Sequence, residues 1–206
     1  MSLSSHHGLW PDKLLTRIKQ EKFEFSKERD FWYLSLGDWD QYFGILRSGE
    51  TWWGTVDADL NDILEDWDVH RVAFGPSQAT VDIRMTSNTT TSNSSSTSTG
   101  MVYHTSWIVV ARDGRVAWKN IPADLADLLL RRLATNAGIA EVSLGAESAY
   151  FVRFLDGSVH YNLPVHMAQA CRRIEQQDRQ TITNIVLHSD LPNNFIIRSS
   201  SVVKRR

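Results

Sequence analysis

Ala140-Glu141-Val142-Ser143-Leu144-Gly145, then Ala149-Tyr150-Phe151-Val152-Arg153-Phe154-Leu155-Asp156-Gly157 and Ser158-Val159-His160-Tyr161, decide how this chain is read. The first run alternates apolar and polar residues, the period of a half-buried strand. The second is rich in aromatic and branched side chains, as strands are. Asp156-Gly157 predicts a tight hairpin, because the pair tolerates the positive φ that hairpin turns need. A third strand returns over 158–161. Leu163-Pro164 then opens a helix at the position where proline's missing N–H costs nothing, and Met167, Cys171 and Ile174 fall on one face of it.

The same pattern recurs in phase elsewhere. Leu144-Gly145 leads to Asp156-Gly157 in 12 residues, and Leu36-Gly37 leads to Ser48-Gly49 in 12. Phe74-Gly75 leads to Asp113-Gly114 with about 27 residues more between them. The pairs Tyr42-Phe43, Trp107-Ile108 and Tyr150-Phe151 precede the turn glycine, and Trp53, Trp118 and Tyr161 follow it. Helices are expected after Val56 and Ile121-Pro122 as well. Their buried stripes would be Leu60, Ile63, Leu64 and Trp67, and Leu125, Leu128, Leu129 and Leu133. Internal similarity at a fixed period marks one supersecondary unit used several times.

The expected fold is therefore α+β: about four strand–hairpin–helix repeats forming one pseudo-symmetric domain over 9–198. The units fall near 31–66, 69–136, 140–178 and 182–204, and residues 1–8 are expected to be disordered. A helix over 11–20, carrying Leu14, Leu15 and Ile18, would complete the last unit and close a ring, leaving fewer strand edges exposed. An open stack, or one continuous sheet backed by helices, fits the same pattern. Thr86 to Gly100 is almost entirely Ser, Thr and Asn and reads as a disordered insert between strands Gln78–Met85 and Met101–Arg112.

Composition narrows the function classes. Twenty-two basic against 24 acidic residues give a net charge of −2, with no basic stripe for nucleic acid. No apolar run is long enough to span a membrane, and residues 1–10 lack the apolar segment of a signal peptide. Cys171 is a single cysteine at a core position, which suits a reducing, cytoplasmic setting. Lys204-Arg205-Arg206 would suit a nuclear address or a solubilising end. Asn88 and Asn93 open glycosylation-type triplets, expected to stay bare inside the cell.

No cofactor, metal ligand or catalytic residue is assigned. Asp57 to Asp68 opens like a calcium loop but has Asp62 where the loop needs glycine and Asp68 where it needs glutamate, so a helix with solvated acids is expected. His160 and His166 bracket a strand–helix junction without carboxylate or cysteine partners at known spacing. The other histidines are His6, His7, His70, His104 and His188. Trp53, Trp118 and Tyr161 are expected to fill the unit cores. Trp39 and Trp52 are the candidate binding residues, since an exposed indole can stack on a sugar or hold a peptide.

Val142-Ser143-Leu144-Gly145 with Tyr150-Phe151-Val152-Arg153-Phe154-Leu155-Asp156-Gly157-Ser158-Val159 resembles repeats in uncharacterised fungal proteins. The resemblance covers Trp32 to Arg198 without the Ser/Thr insert, and the first copy departs from it at Ser48. It implies no activity or site. The functional expectation is a non-enzymatic repeat domain binding a protein or peptide through equivalent positions. A carbohydrate-binding module using exposed tryptophans and an enzyme with a site at the repeat centre are the alternatives.

Overall fold

The computed structural model describes Thr16 and residues 31–38, 40–85, 97–176, 180–189 and 191–201, with side chains outside 78–104 and 201. The expected helix over 11–20 lies outside these residues apart from Thr16, which is helical. The strands are β1 (Phe31–Leu36), β2 (Tyr42–Leu46), β3 (Thr51–Gly54), β4 (Val69–Met85), β5 (Thr97–Ala111), β6 (Val116–Lys119), β7 (Ile139–Leu144), β8 (Tyr150–Phe154), β9 (Val159–Asn162), β10 (Gln180–Leu187) and β11 (Phe195–Ser201). Helices α1 (Ala58–Asp66), α2 (Ala123–Leu133) and α3 (Val165–Gln176) follow β3, β6 and β9. The class is α+β. Four antiparallel sheets form in the orders β1-β2-β3, β4-β5-β6, β7-β8-β9 and β10-β11, rather than one continuous sheet.

The four sheets share one register. Leu36, Phe74, Leu144 and Leu187 pair with Tyr42, Trp107, Tyr150 and Phe195. Each first strand carries an irregularity near its start, between Phe31 and Tyr33, Val69 and Arg71, Ile139 and Glu141, and Ile182 and Asn184. A bulge bends its strand and re-aims the side chains beyond it. Here all four first strands are bent at the same point.

The hairpins also agree. Gly49, Gly114 and Gly157 take φ of 92°, 90° and 86°, a three-residue loop with glycine in the left-handed position. The residue before the glycine does not share the positive φ. Its side chain instead accepts from the amide two residues on: Asp113 from Arg115 at 3.0 Å and Asp156 from Ser158 at 2.9 Å, with Ser48 and Glu50 more loosely at 3.4 Å. That role needs only a short acceptor, so serine serves in the first copy.

Each helix packs between two consecutive sheets. Leu60 and Leu64 of α1 meet Phe43 and Ile45 of the first sheet and Val72, Phe74, Trp107 and Val109 of the second. Leu125 and Leu129 of α2 meet Ile108 and Val110 on one side and Val142, Val152 and Phe154 on the other. Met167 and Cys171 of α3 join Phe151 to Ile182, Ile185 and Leu187. Ile63, Trp67, Leu128, Leu133 and Ile174 are half-buried at the same cores, so the expected stripes hold in α1, α2 and α3. Alternate strand residues face opposite sides, and both sides of β5 and β8 are covered by a helix.

One expectation needs correction. Thr97–Gly100, assigned to the disordered insert, belong to β5 and pair with Asp82–Met85. Ser/Thr composition precludes burial but not backbone pairing, and threonine favours strands. Residues 86–96 lie outside the described set, as do 1–8. β11 runs to Ser201.

Candidate functional site

The first strands converge at their glycine ends. A β-carbon on Gly37 would stand 2.8 Å from that of Phe74, one on Gly75 3.1 Å from that of Leu144, and one on Gly145 2.9 Å from that of Leu187. No side chain fits in these gaps, so neighbouring sheets approach closely there. The segments just beyond β1 and β10 also touch: the Ser189 hydroxyl donates to Asp38, 151 residues away, and the Ser77 amide of β4 donates to the other Asp38 oxygen at 2.7 Å.

A cavity of about 800 Å³ opens where the strands converge. Its lining includes one equivalent position of each first strand, three residues before Leu36, Phe74, Leu144 and Leu187: Tyr33, Arg71, Glu141 and Asn184. Its wall continues through Leu36, Val186 and Ile196, which are exposed at 38%, 42% and 62%. Asp38, Asp40, His188, Ser189 and Asn193 also line it.

The four equivalent side chains form a polar layer. Arg71 grips Glu141 with two contacts, Nη1 to Oε2 at 2.6 Å and Nη2 to Oε1 at 3.1 Å. This two-pronged pairing fixes both groups more firmly than a single contact. Arg153 approaches Glu141 at 3.7 Å and donates to the Thr183 carbonyl at 2.8 Å. Arg71 stacks over the Tyr33 ring at 5.3 Å. The Tyr33 hydroxyl donates to the Val72 carbonyl at 2.7 Å. Burial raises the Tyr33 pKa, against the opposing pull of Arg71, so the phenol stays neutral. Ser143 accepts from the Leu187 amide at 3.0 Å and ties the third sheet to the fourth.

Ser189, His188 and Asp38 share this cavity without forming a hydrolytic triad. The Ser189 hydroxyl donates a hydrogen bond to Asp38, and His188 Nδ1 accepts from the Leu191 amide at 3.2 Å. A triad needs the histidine between the other two.

Of the candidate binding residues, Trp39 lies outside the described residues. Trp52 is not exposed: it is 1% accessible, in a cluster with Tyr42 and Leu46, and its Nε1 donates to Glu50 at 2.6 Å. A large apolar surface gains too much from burial to stay in water, and Glu50 satisfies its N–H. Trp53, Trp118 and Tyr161 pack at the edges of the three cores.

The acidic stretch carries α1, with Asp57 as its N-cap accepting from the Leu60 amide at 2.9 Å. Among the described residues no three His, Cys, Asp or Glu side chains gather as a metal site would require. His160 and His166 have separate aromatic neighbours, Phe154 and Phe195, each at 5.9 Å between ring centres. Burial raises the Cys171 pKa, with Glu175 adding to it, so this thiol is a core filler. Among the described residues no helix is long and apolar enough to cross a membrane.

Sequence reasoning missed Arg71, Glu141, Asp38 and Ser189. A signal for the first two was present: Arg71 and Glu141 are opposite charges at the same phase of two copies, next to strand residues that are otherwise buried. Asp38 and Ser189 carry no such signal, since their meeting depends on how far the sheets turn. No protein-family model, curated protein or solved structure matches the chain.

Proposed function

We propose that the chain is a non-enzymatic binding domain. Four copies of one sheet–helix unit are arranged in a ring around a central cavity, and the cavity receives a segment of a protein or peptide partner. One observation carries this reading: Tyr33, Arg71, Glu141 and Asn184, equivalent residues of four sheets, line a single cavity of about 800 Å³. That volume lies in the usual range for ligand sites, about 300–1,000 Å³. The common register, bulge position and hairpin geometry support copies of one unit. The contact of Ser189 with Asp38 supports closure. Kinship with fungal repeat proteins is part of the same proposal.

Chemistry favours binding over catalysis. The polar layer is internally paired through Arg71 and Glu141, and the Ser189 hydroxyl is bonded directly to Asp38 instead of to a histidine. The sugar-binding alternative loses its described anchor with the burial of Trp52.

The test is selection from a random 12-residue peptide library on the immobilised protein, run beside a Val186→Trp variant that fills the cavity mouth. Peptides enriched by the wild type and lost on the filled variant are expected. If the wild type enriches none, or the variant retains the same peptides, the cavity is not the binding site.

A further inference from the structure

Asp38 is the least compensated charge in the cavity. It is 9% exposed and lines the wall. Its two hydrogen bonds come from neutral donors, the Ser77 amide and the Ser189 hydroxyl. Among the described residues no cation pairs with it. Arg71, the guanidinium in the cavity wall, turns to Glu141. A carboxylate offers about four lone-pair sites, so half of its accepting capacity is unused. A buried charge without a counter-charge is costly, and a partner cation relieves it.

Two further features surround this carboxylate. Gln41 is 3% exposed, and its Oε1 is an acceptor with no donor among the described residues. It sits against Gly37, 2.7 Å from where a β-carbon would be, and Gly37 is part of the cavity wall. Behind this part of the wall there is thus a second acceptor left without a donor among the described residues. The adjoining wall is aliphatic. Leu36 lies two residues before Asp38, and Val186, which pairs with Ile196, lies three before Ser189.

An aliphatic wall leading to a carboxylate matches one kind of side chain. Lysine and arginine bury their methylene stems on apolar surface and carry the charge at the tip. We infer that the cavity selects a basic side chain of its protein partner, with the stem against Leu36, Val186 and Ile196 and the cationic head at Asp38. This rests on the cavity being the binding site proposed above. It adds the chemical class of what enters.

The test uses the full chain, labelled with nitrogen-15, and four probes sharing one stem: n-butylammonium, n-butylguanidinium, n-butanol and n-butyrate. Saturable shifts of the Gly37, Ser77 and Ser189 amide signals are expected with the two cations. The alcohol should bind at least tenfold more weakly and butyrate not at all. Asp38→Asn should weaken the cations tenfold or more. Should that variant fail to fold, the wild-type comparison among the four probes decides alone. Equal binding of butanol and butylammonium would overturn the inference while leaving the cavity as the site. So would selected peptides that bind as well after their basic residue is replaced by norleucine. If neither probes nor selected peptides move these signals, the site itself is refuted.

Discussion

Asp57 joins two sheet–helix units, and replacing it should reveal how firmly they are held together. Its carboxylate caps α1 through the Leu60 amide at 2.9 Å. It also accepts from the Thr105 hydroxyl and from Trp107 Nε1 at 3.1 Å, both in the next sheet, and lies 3.4 Å from Lys119. Losing an N-cap costs about 1 kcal/mol. Trp107 is 3% exposed, and leaving its N–H buried without an acceptor costs about 1–3 kcal/mol. Thr105 can turn its hydroxyl elsewhere, and Lys119 keeps Asp59 at 2.6 Å, so neither adds much. Asp57→Ala should therefore cost about 3 kcal/mol, which for a domain of this size lowers Tm by about 6–12 °C. Asp57→Ser separates the two parts, since serine caps well but is too short to reach Trp107. It should retain the cap and lose about 2 kcal/mol. Calorimetry gives both values. Proton exchange at the Trp107 indole should quicken in both variants. Serine restoring wild-type stability to within about 0.5 kcal/mol, the usual scatter of surface substitutions, would refute the bridge. Acid should tell the same story. Burial alone would raise the Asp57 pKa, but the bonds from Thr105, Leu60 and Trp107 and the charge of Lys119 outweigh it and hold it below the usual 3.8. The stabilisation is present above the unfolded pKa and lost as pH falls through the folded one. Asp57→Ser should flatten that acid limb.

The approach of the third and fourth sheets predicts that Gly145→Ala costs about 1–3 kcal/mol, because its β-carbon would meet that of Leu187 at 2.9 Å; urea unfolding with an unchanged slope checks this, and a neutral effect would contradict the close approach. Burial and the Asp124 hydrogen bond push the Tyr150 pKa up to about 12, so its contribution is present below pH 10 and lost as pH rises towards 12. Tyr150→Phe should remove that alkaline loss, read from stability between pH 9 and 12, and an alkaline limb identical to that of the wild type would contradict it.

Much of the fold was legible because similar strand, turn and helix signals recur along the chain. The helix stripes, the turn glycines and the aromatic pairs each obey local rules, and seeing them in phase removed the ambiguity of any single copy. The register could be read from the spacing between Leu144-Gly145 and Asp156-Gly157, since a hairpin of fixed length leaves no freedom in pairing. The extension of β4 and β5 was not legible. Composition around Thr97 to Gly100 reports only that nothing is buried, and pairing beyond the core leaves no apolar period. Trp52 misled for a related reason. Two adjacent tryptophans must face opposite ways, which suggested that one is exposed, yet both faces of the first sheet are covered. The cavity residues were hidden more deeply. Arg71 and Glu141 are 70 residues apart and are opposite charges at one phase of the pattern, but Asp38 and Ser189, 151 residues apart, carry no such signal.

The contrast between core and cavity bears on why the cavity exists. On the four-unit reading, positions facing a helix keep their character from copy to copy: Phe43, Ile108 and Phe151 all pair with a large aromatic. The positions facing the centre do not, since Tyr33, Arg71, Glu141 and Asn184 differ in size, charge and bonding. Four apolar residues there would draw the sheets together and fill the centre, because burying each would gain about 1.5–3 kcal/mol. Four like charges would repel. One guanidinium facing one carboxylate, braced by a phenol on one side and a second arginine behind, is self-satisfied at fixed geometry. It holds two neighbouring strands in place and leaves the volume beside it open. The core copies can then keep to one pattern, because packing against a helix asks the same of each. The cavity-lining residues must differ from one another for the cavity to stay open, and that same difference gives it one end at Asp38 unlike the rest.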